Sequence, residues 1–285
     1  MYHEYTQEEL RSYCRTNIES LEVWARRLIH EQMVDEYGID YINKKINEEF
    51  IVKKDIRNHI QSMMEREPNR FIRPVDTLFV DQIVYFLCHP KWYNKLFKTA
   101  LDYVYPQGKD EVREFFNRLV PIRNSLSHSN PISMHQVEQA ICYSHDFTEG
   151  LKQYYKNRGE EQVWNVPRII KITDSFGNIF DNIHDKGQHY TIHNITQTVR
   201  CGDTYTAWVE VDSSFLPNEY DIKWRTDKNL SENDNSFQLT YNFTTQDVSE
   251  NMYIRCKIIS HKEWHKHQSY DSEIVLHFQV LPPIK

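Results

Sequence analysis

The spacing of apolar residues changes once along this chain of 285 residues, and that change most limits how the chain can fold. In the first half, apolar residues recur every three or four positions, which is the period of an amphipathic α-helix. In the second half they alternate with polar residues, which is the period of a half-buried β-strand. We therefore predict an all-α helical bundle over residues 1–157 and an antiparallel β-sandwich over residues 165–285.

Recognisable start and stop signals bound the predicted helices. Thr6 with Glu9 and Ser133 with Gln136 have the spacing of a capping box, and Gly38 suits a left-handed cap. Pro121 should kink or end the helix that begins near residue 109, so we expect an irregular polar stretch after it. The predicted helices cover residues 7–37, 52–67, 75–88, 91–103, 109–122 and 133–155.

Short alternating runs, rich in Tyr, Val, Ile, Thr and Phe, predict the strands of the second half. They cover residues 168–172, 189–193, 204–211, 220–225, 236–241, 252–259 and 272–281. Seven short strands in this arrangement favour a sandwich. The boundary between the domains should lie in residues 157–161, which are charged and have no apolar period.

The net charge of −7 is not shared equally between the halves. Residues 1–158 carry 22 basic and 23 acidic side chains, whereas the rest of the chain carries 12 and 18. Such a chain has no global affinity for nucleic acid through counterion release. Any contact with RNA must come from a local patch, and the near-neutral first half is the better place for it.

Several classes of protein do not fit the sequence. No apolar run approaches the roughly 18 residues of a membrane span, and the N-terminus has no signal-peptide pattern. We therefore expect a cytoplasmic protein that does not enter a membrane. The five cysteines are scattered, with no zinc-knuckle or redox spacing, so we expect free thiols, no metal and no cofactor.

The segment Arg123-Asn124-Ser125-Leu126-Ser127-His128 is the candidate site. On a continuous helix, Asn124 and His128 would share a face, with Arg123 slightly to one side. An imidazole is suited to proton transfer near neutral pH, and a guanidinium can hold a phosphate and stabilise its developing charge. The alternative is that Arg123 is a solvated surface charge and His128 a polar helix end.

This segment and its surroundings resemble the HEPN superfamily, whose helical bundles carry an Arg followed, after four to six residues, by a His. The branch that looks most similar is the HEPN domain attached to a eukaryotic transcript-surveillance endonuclease and found in many bacterial proteins. The resemblance covers residues 18–155. Its residues are the run Ile18–Ile29, then Tyr37-Gly38, Lys91-Trp92, the Arg123–His128 segment and Ser144–Phe147.

The resemblance implies a homodimer with two facing motifs in one cleft, which cuts RNA without a metal and leaves a 2′,3′-cyclic phosphate. It also implies a role in bacterial defence, toxin–antitoxin or stress systems. Arg123, Asn124 and His128 would be the catalytic residues. Other branches of the family keep the fold as a non-catalytic RNA-binding or dimerisation module, and some members pair with a nucleotidyltransferase as toxin or antitoxin.

The second half looks like a bacterial immunoglobulin-like domain. Trp224 would be the core Trp of one strand, and Asp247-Val248 with Tyr253–Ile258 resembles the corner and strand that face it. Cys201 lies at the edge of its strand, so we do not expect a disulfide with Cys256. This resemblance implies a recognition module for a protein or ligand partner and nothing more specific.

Two other patterns in the second half have functional alternatives. His261, His265 and His267 could hold zinc, but interleaved lysines disfavour a metal, so we interpret the segment as a solvated loop. The sequons at Asn194, Asn229 and Asn242 could indicate a secreted adhesive protein. A chain so rich in Asn, Ser and Thr produces sequons by chance, so we prefer the cytoplasmic interpretation.

Overall fold

The computed structural model describes residues 6–67, 71, 73–161, 165–181, 190–191, 197–226 and 234–284. The chain forms two compact units that divide between Gly159 and Glu160. The first unit is helical and the second consists of β-sheets. The predicted order of an α region followed by a β region is therefore confirmed. None of the described helices is long and apolar enough to cross a membrane.

The helical unit contains α-helices of very different lengths, from 4 to 31 residues, with shorter helical turns between some of them. Its described helices are α1 (Gln7–Tyr37), α2 (Lys54–Arg66), α3 (Val80–Leu87), α4 (Lys98–Leu101), α5 (Lys109–Ser127) and α6 (Met134–Asn157), with a hairpin of β1 (Lys45–Ile46) and β2 (Glu49–Phe50) before α2. Trp24 of α1 lies against Tyr155 of α6, with 6.1 Å between ring centroids, and both side chains are fully buried. The core thus lies where α1 packs along α6.

Local signals at the helix starts behave as the sequence predicts. The Thr6 hydroxyl accepts from the backbone of Glu9, and the Glu9 carboxylate accepts from the backbone of Thr6. Ser133 and Gln136 form the same reciprocal pair before α6. Both capping boxes are confirmed. Gly38 has a positive φ of +86°, but its ψ of 173° lies outside the left-handed helical region, so the predicted cap type is wrong.

The β unit contains two described sheets. Its strands are β3 (Ile169–Asp174), β4 (Ile179–Asp181), β5 (Tyr190–Thr191), β6 (Gln197–Arg200), β7 (Thr204–Val211), β8 (Tyr220–Thr226), β9 (Gln238–Asn242), β10 (Ser249–Ser260) and β11 (Ser272–Leu281). One sheet has the order β4-β3-β7-β9, and the other has the order β5-β11-β10-β8 with β6 also paired to β11. β5 and β6 pair with β11 in parallel. The prediction of a wholly antiparallel arrangement is therefore wrong at this edge.

Side chains from both sheets meet in one apolar core. Trp224 of β8 and Cys256 of β10 are directly opposite in register and fully buried, and Tyr205 of β7 packs against Phe278 of β11 with ring centroids 4.8 Å apart. The five cysteines carry free thiols. Burial raises the pKa of the Cys256 thiol well above its ordinary value, so this residue serves as a small apolar core side chain.

The histidine cluster and the sequon at Asn242 make local contacts within the β unit. His265 lies 3.2 Å from the carboxylate of Asp271, and His261 lies 3.5 Å from that of Asp221. Among the described residues, no group of His, Cys, Asp and Glu is arranged to hold a metal ion. Asn242 accepts from the Thr204 hydroxyl at 2.7 Å, while the sequons at 194–196 and 229–231 lie outside the described residues.

Candidate functional site

The candidate motif occupies the last turn of α5 and the residue after it. Arg123 and Asn124 are helical, and the backbone N–H of His128 donates to the carbonyl of Asn124 at 3.1 Å. Asn124 and His128 are exposed, whereas the Arg123 side chain is 30% exposed. The structure therefore places Arg123 and Asn124 near the end of α5 and His128 at its C-cap, with the amide and the imidazole open to solvent.

The helix that carries the motif is longer than the sequence indicates. We expect an end near residue 122, yet α5 continues through Pro121 to Ser127. The carbonyl of Asn117 loses its helical partner at Pro121, and both residues are exposed, so this carbonyl can bond to water. Ile122 and Leu126 are buried and continue the apolar stripe of the helix. Burial of this stripe on both sides of Pro121 accounts for a helix that does not stop there.

Two arginines of α1 hold the chain at the end of α5. Arg15 donates to the carbonyl of Leu126 at 3.2 Å, and Arg11 donates to the carbonyl of Ser129 at 2.9 Å. Ser129 has a φ of +57°, in the left-handed region, so the chain turns sharply directly after His128. Since cations favour helix C-termini, these contacts stabilise the turn. They also bring two further positive charges close to the motif.

Arg123 itself is held by a carboxylate from the first helix. Its Nε lies 3.5 Å from one oxygen of Glu22, whose side chain is 8% exposed. The other oxygen of Glu22 accepts from Arg26 at 2.6 Å, and Arg26 also donates to the carbonyl of Leu78. One buried carboxylate thus lies against two guanidinium groups. In the described part of the chain the terminal nitrogens of Arg123 have no hydrogen-bond partner, so they can bind an anion.

An aromatic residue borders the guanidinium on another side. The Arg123 guanidinium carbon lies 5.8 Å from the ring centroid of Phe79, which is 43% exposed. The ring of His59 packs on Phe79 at 4.5 Å, and its Nε2 lies 2.9 Å from the carbonyl oxygen of Thr77. Because a carbonyl only accepts, Nε2 of His59 carries a proton. An exposed ring beside a cation can contact a nucleobase.

The sequence alone does not identify Glu22, Arg26, Phe79 or His59 as neighbours of the motif. Glu22 precedes Arg123 by about a third of the chain, and no local period connects the two residues. Only Glu22 and Arg26 carry a local signal, because residues four apart share a helix face. That spacing indicates an ion pair within α1, but it does not indicate that Glu22 also contacts Arg123.

Comparison with known proteins adds nothing to these contacts. A scan against protein-family models finds no match, and a search of curated proteins finds none either. The functional argument therefore depends on the geometry around α5.

Proposed function

We propose that this chain is a metal-independent endoribonuclease of HEPN type that acts as a homodimer in the cytoplasm. The observation that carries the proposal is the last turn of α5. There the exposed Asn124 directly follows Arg123, the exposed His128 comes four residues later, and the Arg123 Nε lies 3.5 Å from a buried carboxylate. The helical unit would be the HEPN bundle, and the β unit an immunoglobulin-like sandwich that contacts a partner or ligand.

The proposed reaction is attack of a ribose 2′-oxygen on the adjacent phosphorus. A bond forms between the 2′-oxygen and phosphorus, the bond to the 5′-oxygen breaks, and the products are a 2′,3′-cyclic phosphate and a 5′-hydroxyl. His128 would transfer the proton, either from the 2′-hydroxyl or to the leaving 5′-oxygen. In a dimer with facing motifs, the two copies of His128 can supply the base and the acid.

Arg123 and Asn124 would act on the phosphate rather than on the proton. Charge grows on the non-bridging oxygens as phosphorus becomes five-coordinate, and a fixed guanidinium stabilises that charge without reorganising. Asn124 can orient the phosphate or the imidazole by hydrogen bonds. Arg11 and Arg15 add positive charge at the end of α5, which supplies the local patch that a chain of net charge −7 needs to bind RNA.

The test is cleavage of mixed RNA by the purified chain in EDTA, with His128→Ala beside the wild type. His135→Ala is a matched control, because His135 is an exposed imidazole in the first turn of α6 and lies outside the motif. We expect the wild type and the control to leave cyclic phosphates. The His128 variant should be slower by at least about 100-fold, because it lacks the proton-transfer group.

A second function, a non-catalytic binding module, is favoured by one observation. Arg123 is already paired with Glu22, as expected for a side chain that only braces two helices. In that case the helical unit would bind RNA or form the dimer, alone or as the partner of a nucleotidyltransferase. Absence of cleavage by a dimeric, folded wild type would support this function and contradict the nuclease. Equal cleavage by wild type and His128→Ala would remove the motif from the mechanism.

A further inference from the structure

The helical unit has a cleft of about 440 Å³ away from the motif. It lies where the start of α2, the C-terminal half of α3 and the start of α5 meet, with Lys53, Tyr85, His89 and Arg113 in its walls. Its volume is within the range of about 300–1,000 Å³ that is usual for sites of small ligands. The cleft is therefore large enough to take a molecule rather than a few waters.

Positive charge predominates in this cleft. Lys53 and Arg113 line it together with one carboxylate, that of Asp81. Lys53 has no ion-pair partner among the described residues, and its Nζ lies 4.9 Å from the ring centroid of Tyr85. Arg113 pairs with Asp110 at 3.2 Å, but both side chains are well exposed, and such pairs contribute little. Both cations are therefore available to an anion.

His89 is a fixed hydrogen-bond donor in the same wall. Its Nδ1 accepts from the backbone N–H of Lys91 at 3.3 Å, so the neutral ring carries its proton on Nε2. Burial, followed by the positive charges of Lys91 and Lys53, lowers the pKa of His89. The ring also stacks on Trp92 with centroids 4.1 Å apart, which holds its orientation.

We propose that this cleft binds a nucleoside phosphate, with the phosphate between Lys53 and Arg113 and the base against the Tyr85 and His89 rings. The two cations favour an anion. The aromatic and aliphatic wall favours an anion that carries an organic group such as a base over inorganic phosphate. The carboxylate of Asp81 provides an acceptor for a ribose hydroxyl or an exocyclic amine. This site goes beyond the proposed ribonuclease function and does not depend on it.

The ligand of this cleft can be a free mononucleotide or one nucleotide of an RNA chain, and the position of the cleft allows both. Arg113 and Arg123 are ten residues apart on α5, which corresponds to about 15 Å along a helix axis. A free mononucleotide could bind at the cleft alone. A nucleotide within an RNA chain could bind there while a neighbouring stretch reaches the motif. Both sources present the same phosphate and base to the cleft.

The test is direct binding to the full chain, measured calorimetrically with AMP, with inorganic phosphate and with a 2′-O-methyl oligoribonucleotide that cannot be cleaved. Lys53→Met and Arg113→Gln remove the two cations. Lys54→Met and Arg118→Gln are the matched controls, because both residues are exposed and neither lines the cleft. Loss of a charge-assisted contact should weaken binding at least about tenfold in each cleft variant and in neither control.

The outcomes separate the sources and can overturn the proposal. AMP binding that depends on Lys53 and Arg113 identifies a free nucleotide, and oligonucleotide binding alone with this dependence identifies an RNA chain. The proposal is overturned if neither probe binds, or if the control variants weaken binding as much as the cleft variants do. Inorganic phosphate that binds as tightly as AMP would also overturn it. Because no cleavage is measured, failure of the nuclease proposal leaves this test unaffected.

Discussion

Three buried carboxylates of the β unit, those of Asp174, Asp247 and Asp271, accept several hydrogen bonds within the fold, whereas the motif of the helical unit leaves two of its three side chains at the surface. Asp174 is 6% exposed and accepts from Asn178, Gln197 and Tyr205. By contrast, neither Asn124 nor His128 makes a side-chain hydrogen bond within the described part of the chain. Completed bonds indicate a structural role, and open ones beside a fixed cation indicate a place for a ligand.

The largest effect that this comparison predicts is on activity. Under the proposed function, Arg123→Ala should slow RNA cleavage by about 100- to 1,000-fold, because a fixed donor to the developing charge is lost. Arg123→Lys should restore little, since an ammonium cannot replace a planar guanidinium. The readout is the cleavage rate at saturating RNA. A rate within threefold of the wild type for Arg123→Ala would place Arg123 among the structural side chains.

The next effect is on the stability of the β unit. Asp271 is 1% exposed and accepts from the backbone N–H groups of Ser260 and Lys266. Asp271→Ala leaves these donors without an acceptor, so the free energy of unfolding should fall by about 3 kcal/mol. Urea denaturation measures the change, with Glu250→Ala as control, because Glu250 is exposed and its carboxylate has no hydrogen-bond or ion-pair partner in the described part of the chain. Equal stability of the two variants would contradict the structural role of the buried carboxylate.

A smaller effect on stability is expected for Glu22, whose carboxylate is buried and also contacts the motif. Glu22 is buried like Asp271, but it holds Arg123 of the motif. Glu22→Gln removes the charge and keeps a polar side chain of the same size, so unfolding should become easier by about 2 kcal/mol. The cleavage rate should fall with little change in KM, because Arg123 is positioned less well. A loss of stability alone, at full activity, would show that the ion pair only braces the helices.

The smallest effect concerns the helix that carries the motif. Pro121→Ala restores a helical hydrogen bond at an exposed position, but it also frees the unfolded chain. The net gain in unfolding free energy should be about 1 kcal/mol, with no change in activity. A thermal or urea melt measures it. Destabilisation by this substitution would mean that α5 ends before Arg123, so that the motif lies in a loop.

The sequence predicts what depends on short-range spacing. Both capping boxes form, and the predicted strands at 204–211 and 272–281 have the observed bounds. Other strands of the β unit differ by a few residues at their ends, and β4 and β6 are absent from the prediction. The hairpin of β1 and β2 is also absent from it, because two-residue strands exposed on both faces have no apolar alternation.

Long-range contacts set the limit of the sequence prediction at the candidate site. Arg123, Asn124 and His128 are close in sequence, so the sequence alone predicts that they lie near one another. It cannot pair Arg123 with Glu22 or bring Arg15 to the end of α5, because those contacts depend on how α1 packs. The prediction that this helix ends near Pro121 is wrong for the same reason. Burial of Ile122 and Leu126 in the tertiary fold outweighs the local preference of proline to end a helix.

The ion pair of Glu22 with Arg123 has a consequence for selectivity. In the free protein, the carboxylate already occupies part of the guanidinium fork, so an incoming phosphate competes with an internal anion. Under the proposed function, a lone phosphate would gain little from that exchange, whereas an RNA strand would add contacts elsewhere on the surface that compensate for it. Glu22 would therefore weaken the binding of free cellular phosphates and favour ligands that are long enough to contact the protein beyond Arg123.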